Sequence, residues 1–350
     1  MTDDRPLLEV TDLQTHFETD EGTVHAVKGA SFTVEQGEIV GIVGESGSGK
    51  SVTALSCIRL EEPGEIVSGS IRFRGTDVTT ADERRLRRMR GQGMAMVFQD
   101  PTTTLNPVFR VSEQIAEALK VHEDPDSQRL LDYLHVPPFS DRSDWADKRR
   151  RAVDLMHEVG IPNPDERVDA YPHEFSGGMR QRAMLAIALA REPDLLIADE
   201  PTTALDVTIQ AQLLERIRNL NQDLGMAVLL ITHDLGVIAE LCDRVIVLYD
   251  GEVMERGSVD RMLIDPRHPY TRGLLECLPQ TTPRQSRLSS IDGEVPDQIG
   301  PGSGCPFAPR CEYAVEECRT GEMPRVRLED GRDAKCCRPE VLDADPAEVE

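Results

Sequence analysis

Lysine is scarce in this chain. Of its 39 basic residues only five are lysines (Lys28, Lys50, Lys120, Lys148 and Lys335), against 63 aspartates and glutamates, for a net charge of −24. So acidic a chain has no evident basic face, which argues against a nucleic-acid groove. The same composition suits a very salty solvent, where the self-repulsion of an acidic surface is screened; the plainer reading is a merely acidic protein. Long apolar runs are missing too. The longest, such as "MAVLLI", have the length of a strand, well short of the ~20 residues that span a bilayer. The opening "MTDDRPLLEV" is acidic and lacks the apolar segment of a secretory leader. A soluble, cytosolic protein is therefore expected, and in that compartment the eight cysteines read as thiols or metal ligands rather than disulfides. At 350 residues the chain predicts one large domain with an appendage, or two domains.

What is present begins with "GESGSGKS", positions 44–51. It follows the apolar strand pattern "GEIVGIV" and precedes "VTALSCIRL", whose spacing suits a helix. Strand, glycine-rich loop and helix form a setting in which backbone N–H groups and a helix N-terminus can cradle phosphates. Lys50 would reach the β- and γ-phosphates, and Ser51 would place a hydroxyl on Mg²⁺. A second apolar strand, "LLIADEP", ends in Asp199 and Glu200. One acid there can hold Mg²⁺ and its neighbour can polarise an attacking water. A third element, "FSGGMRQR", opens a helix with Ser176, Gly177 and Gly178. A helix cap accounts for the serine but not for both glycines. A second phosphate-seeking helix start is of use to a dimer, in which each copy closes on the nucleotide held by the other.

Around these motifs, residues 7–43 read as short β segments. "SGSIRFRGTDV" is strand-like, "ADERRLRRMRGQ" a charged helix and "GMAMVFQD" an apolar strand. Residues 111–170 look helical and polar, with a Pro-, Asp- and Arg-rich surface insertion over about 122–151. "TIQAQLLERIRNLNQDLG" is a helix closed by Gly225, "MAVLLITHD" a buried strand, and "RVIVLYDGEVMERG" a hairpin turning at Asp250-Gly251. Buried strands alternating with helices imply α/β architecture with a parallel sheet. After residue 265 the chain turns Pro-, Gly- and Ser-rich, then carries five clustered cysteines.

These motifs, in this order, resemble the ATPase subunit of an ABC transporter over about 7–265. "GESGSGKS" is similar to the family's Walker A loop: Gly44, Glu45, Ser46, Gly47, Ser48, Gly49, Lys50 and Ser51. "LLIADEP" resembles Walker B, with Glu200 in the place of the catalytic glutamate and Asp199 that of a Mg²⁺ ligand. "FSGGM" resembles the signature, departing from LSGGQ at Phe175 and Met179. The resemblance further implies Gln99 of "VFQDP" as the Q-loop residue contacting Mg²⁺, His233 of "LLITHD" as the γ-phosphate switch, Asp206 of "TALD" as the D-loop residue, and Phe17 as the ring stacked on adenine. It implies a P-loop NTPase with a RecA-like core, an antiparallel β subdomain and a helical subdomain at about 100–180, within a cassette of 1–265 and before a cysteine-bearing extension of 266–350. ATP would close two such subunits as a clamp, and hydrolysis would release it.

"VFQDPTTTLNP" and "DPRHPYTRGLL" resemble the dipeptide and oligopeptide importer branch, which includes nickel importers. The implied partners are a second ATPase subunit, commonly a different paralogue, two transmembrane permeases and, indirectly, an external solute-binding protein, with no nucleic acid. The implied place is the cytoplasmic face of the membrane. Peptide is the branch's default cargo; nickel, or a soluble ABC ATPase with no transporter, stays open as an alternative. The spacing of Cys305, Cys311, Cys318, Cys336 and Cys337 is not that of a zinc finger. The tail resembles one that carries a 4Fe–4S cluster on four cysteines, the fourth being Cys336 or Cys337; zinc and metal-free thiols remain open. Cys57, Cys242 and Cys277 read as small buried hydrophobes.

Overall fold

The computed structural model describes residues 5–120, 142–203, 205–277, 291–293, 295, 299–300 and 302–338. The chain forms two compact units, Met1–Thr79 with Leu229–Glu350, and Thr80–Val228.

In the first unit the hydrophobic pattern builds two sheets. Strands Gly22–Val34, Leu8–Thr19, Glu65–Phe73 and Thr76–Asp77 pair in that order, all antiparallel. The first two are long continuous ladders with register shifts rather than the short segments expected. The second sheet holds Ile39–Val43 beside Arg244–Tyr249 in parallel register, Val43 opposite Val247. Ile39–Val43 is buried along its whole length, as a strand covered on both faces must be. Arg244–Tyr249 turns at Asp250-Gly251 into Glu252–Ser258. Both turn residues have positive φ, 49° and 76°, the conformation that Asp-Gly supplies in tight hairpins.

The cysteine-bearing tail is more than a loop. Its strands Arg325–Arg327 and Asp333–Lys335 form a hairpin, and Asp333–Lys335 pairs antiparallel with Glu252–Ser258. Phe307 packs edge-on to Tyr249 (5.4 Å) and lies 5.2 Å from Tyr270. These rings belong to the same buried cluster as Val43, Leu235, Ile238 and Val247, against which Cys305 and Cys311 pack. Aromatic pairs of this kind contribute about 0.5–1.5 kcal/mol each beyond area burial.

In the second unit Met94–Val97 runs parallel to Leu195–Asp199, also buried throughout. Helices Gly177–Leu189 and Val207–Leu224 are capped by Ser176 and Asp206, whose side chains accept from the N–H of Met179 and Ile209. Gly225 ends the second in the left-handed conformation, φ 63°. Most of the insertion expected at 122–151 lies outside the described residues. Its last part begins the helix Arg142–Glu158, which buries Ala152, Leu155 and Met156. With Val159 these follow the i, i+3, i+4, i+7 spacing of one helical face, a stripe that the surrounding charge obscures.

Candidate functional site

The loop 44–49 leaves the buried strand Ile39–Val43 and enters the helix Lys50–Cys57. Its glycines answer to geometry. A Cβ on Gly44 would collide with the Leu248 carbonyl, and one on Gly49 with the Ala26 carbonyl, where φ is also 91°. Gly49 starts the helix without a side-chain cap, so the opening N–H groups are those that a phosphate oxygen would take. Lys50, 5% exposed, turns its ammonium onto the loop and donates to the carbonyls of Gly44 (2.9 Å) and Glu45 (2.8 Å). Ser46 and Gly47 are exposed, and Ser48 is buried with no hydrogen-bond partner for its Oγ among the described residues. Ser51 follows Lys50 in the first helical turn. The hairpin turn supports the loop: Gly251 N–H donates to the Ser48 carbonyl (3.0 Å), and Lys28 pairs with Asp250 at 2.8 Å.

Phe17 is half-buried on Leu8–Thr19 opposite Val24. A Cβ on Gly64 would meet its ring at 2.7 Å, so that glycine leaves room for it. His233 is exposed just after strand Ala227–Thr232, and the next residue, Asp234, caps helix Leu235–Leu241.

In the second unit, the strand Leu195–Asp199 delivers Asp199, buried, and then Glu200. Glu200 has φ 45°, a left-handed conformation that costs a non-glycine residue about 1–3 kcal/mol and concentrates at functional sites. Its Oε2 accepts from Gln99 Nε2 and Thr203 Oγ1, both at 2.9 Å. Gln99 and Glu200 are thus brought together, 101 residues apart in sequence. Ser176 and Gly177 are exposed at their helix start. The two glycines differ: a Cβ on Gly178 would meet Ile209 Cγ2 at 2.7 Å, whereas one on Gly177 would meet nothing within 4 Å. Packing explains Gly178, and no neighbouring atom crowds Gly177. Asp206, exposed, caps its helix through Ile209 N–H at 3.0 Å.

Cys305, Cys311, Cys318, Cys336 and Cys337 line one cavity together with His268. Burial pushes the thiols of Cys305 and Cys311 up to about 11. Burial and then the hydrogen bond with Cys318 push Cys337 to about 11, their Sγ atoms being 3.3 Å apart. Among the described residues no three His, Cys, Asp or Glu side chains are placed to hold a metal ion. Cys57, Cys242 and Cys277 do not line this cavity; Cys57 is buried, its thiol pushed up to about 12 by desolvation.

The family model described as ABC transporter matches residues 27–203, which contain the phosphate loop, Gln99, the Ser-Gly-Gly corner and Glu200. The chain belongs to the ABC transporter family of ATPases. A second model, described as the C-terminal region of oligopeptide/dipeptide transporters, matches 254–318. A putative peptide import ATP-binding protein of Brucella abortus is 45% identical over 95% of this chain and 94% of its own length. The dipeptide transport ATP-binding protein DppD of Escherichia coli is 45% identical over 95% of this chain and 97% of its own. Among solved structures, the dimeric bacterial ABC transporter cassette MJ0796 superposes with a TM-score of 0.61 at 25% identity, covering 72% of this chain and 98% of that one.

Within this ABC cassette, sequence reasoning missed Thr203 as a partner of Glu200, and the contacts that Tyr270 and Arg310 make with Glu45. Tyr270 stands out in "DPRHPYT" as a branch feature, but no local pattern ties it to the phosphate loop. The Asp250-Gly251 turn is legible as a turn, yet not as the support of that loop.

Proposed function

We propose that this chain is the ATP-hydrolysing subunit of a peptide importer, docked on the cytoplasmic side of transmembrane permease subunits that receive peptide from an external binding protein. The relatives' names carry the cargo; the chemistry is carried by one observation, the buried Lys50 ammonium turned onto a glycine loop that opens into an uncapped helix. Among the described residues no helix is long and apolar enough to cross a membrane, so the transmembrane path is left to other subunits.

In this reading the N–H groups of loop 44–51 and Lys50 bind the β- and γ-phosphates, and Phe17 stacks on adenine. Glu200 exchanges its bonds to Gln99 and Thr203 for a water, which it orients toward the γ-phosphorus. His233 donates to the γ-phosphate. Ser176 and Gly177 of a partner cassette close on the same phosphate, with Asp206 at that border. The donor set fits Mg²⁺: Ser51 hydroxyl, Asp199 carboxylate and the Gln99 amide are oxygen ligands of the type it takes. When bound, the ion neutralises phosphate charge. The partner cassette is a second copy of this chain or a paralogue.

Five cysteines line one cavity, and four thiolates are the donor set that a 4Fe–4S cluster takes. Cys305, Cys311 and Cys318 with Cys336 or Cys337 would be its ligands; when bound, a cluster removes the cost of holding these thiolates out of water. Anaerobic reconstitution should yield about four irons and four sulfides per chain, and Cys311→Ser should lower both. The lysine-poor acidic surface supports a salt-adapted protein, for which the melting temperature should rise with molar KCl.

The functional test is ATPase activity of the chain assembled with its permeases. Peptide-loaded receptor should stimulate hydrolysis, and Glu200→Gln should abolish it while ATP stays bound. Hydrolysis at the unaltered rate in that variant would remove Glu200 from the mechanism, and stimulation by a nickel-loaded receptor alone would reassign the cargo.

A further inference from the structure

The phosphate loop carries an acid, Glu45, where a polyanion must bind. An uncompensated carboxylate there would repel ATP. Arg310, from the cysteine-bearing tail, meets it: Nη1 lies 3.1 Å from both Glu45 carboxylate oxygens. The Arg310 side chain is 5% exposed. Its place does not depend on Glu45, because Nε donates to the Asp292 carbonyl (2.8 Å), Nη2 to the Ile291 carbonyl (3.1 Å) and Nη1 also to Tyr249 OH (3.2 Å). Arg310 also lies over the Tyr249 and Phe307 rings, at 5.7 and 6.0 Å. Independently, the Glu45 N–H donates to Tyr270 OH at 2.9 Å, and Tyr270 is itself fully buried. One residue of the loop is therefore gripped at both backbone and side chain by the region that follows the catalytic motifs.

Resting on the ATPase reading above, we propose that Arg310 and Tyr270 are positioning residues for nucleotide. Tyr270 fixes the loop backbone at Glu45, and Arg310 cancels the Glu45 charge so that the loop receives the triphosphate. The tail that holds the cysteines thereby sets the ATP affinity of the cassette. A guanidinium held by two carbonyls and a hydroxyl is a fixed charge, which makes the compensation a property of the fold rather than of a mobile surface pair.

The test is a charge cycle on the full-length chain, read as the dissociation constant of a fluorescent ATP analogue at low ionic strength. Arg310→Gln leaves the carboxylate uncancelled and should weaken binding. Glu45→Gln leaves the guanidinium uncancelled and should tighten it. The double variant should return to near the parent value. Each single shift should be about tenfold, the effect of one unit charge on another at a separation of ~12 Å and an effective dielectric constant of ~20, and should shrink with added salt. A merely structural tether predicts instead that all three variants bind more weakly, and that outcome overturns the proposal. Should Arg310→Gln fold poorly by its melting curve, Glu45→Gln decides alone: tightening supports the proposal and weakening refutes it. Lys50→Ala is the separate control. If it bound nucleotide like the parent, the ATP site itself would be misplaced, whatever the charge cycle gave.

Discussion

The two glycines of the Ser-Gly-Gly corner make opposite demands, and substituting each by alanine separates packing from chemistry. At Gly178 the new methyl would stand 2.7 Å from Ile209 Cγ2, closer than carbon atoms approach, on a helix packed against Val207–Leu224. Relief requires Ile209 to leave its rotamer or the helix to shift, an overpacking cost of about 1–3 kcal/mol. Each kcal/mol lowers the melting temperature of a domain of 150–250 residues by about 2–4 °C, so Gly178→Ala should melt roughly 2–12 °C lower. At Gly177 the methyl meets nothing within 4 Å, and alanine is the better helix former. Gly177→Ala should therefore melt no lower than the parent and up to roughly 4 °C above it. If Gly177 is kept for close approach to a partner's γ-phosphate, the same variant should lose most of its ATPase activity in the assembled complex. Differential scanning calorimetry on the chain and a phosphate-release assay on the complex read the two effects apart. A Gly177→Ala variant of parental activity would refute the assignment of this corner to nucleotide, and one melting as low as Gly178→Ala would refute the packing argument.

Other outcomes follow from the same geometry. Asp250→Ala takes from the half-buried Lys28 ammonium a partner at 2.8 Å and should cost about 1–3 kcal/mol, read by chemical denaturation. Glu255 is fully buried and burial pushes its carboxyl up to about 7. Its folded form thus keeps a proton that the unfolded chain loses from about pH 4.5 upward, so this contribution is complete below pH ~4.5 and is lost as pH rises to ~7. Melting temperature against pH should show that decline in the parent and a flatter profile in Glu255→Gln. Lys50→Ala removes the ammonium that donates to the Gly44 and Glu45 carbonyls and should abolish hydrolysis, read by phosphate release from the assembled complex.

Much of this was legible in the sequence where the determining contacts are short-range. The strand, loop and helix around Lys50 follow from hydrophobic runs and glycine placement within a dozen residues, and Ser176, Asp206 and Gly225 mark helix ends by their own chemistry. Glu200 is recognisable at the end of an apolar strand, but its bond to Gln99 spans 101 residues. The contacts of Tyr270 and Arg310 with Glu45 span 225 and 265 residues, and no periodicity reports them. The tail's strands have three residues each, too few to show alternation, so that region reads as loop until its pairing with Glu252–Ser258 is seen. The helical character of 111–170 was legible, but the buried face of the helix from Arg142 was not, because its apolar stripe is outnumbered by charged neighbours.

The hairpin turn beneath the phosphate loop carries a last consequence. With Gly251 holding the Ser48 carbonyl, and Lys28 N–H bonded to the Gly251 carbonyl at 2.8 Å, the cradle is braced by the backbone of the hairpin. A loop braced in this way has little conformational freedom to lose on occupancy.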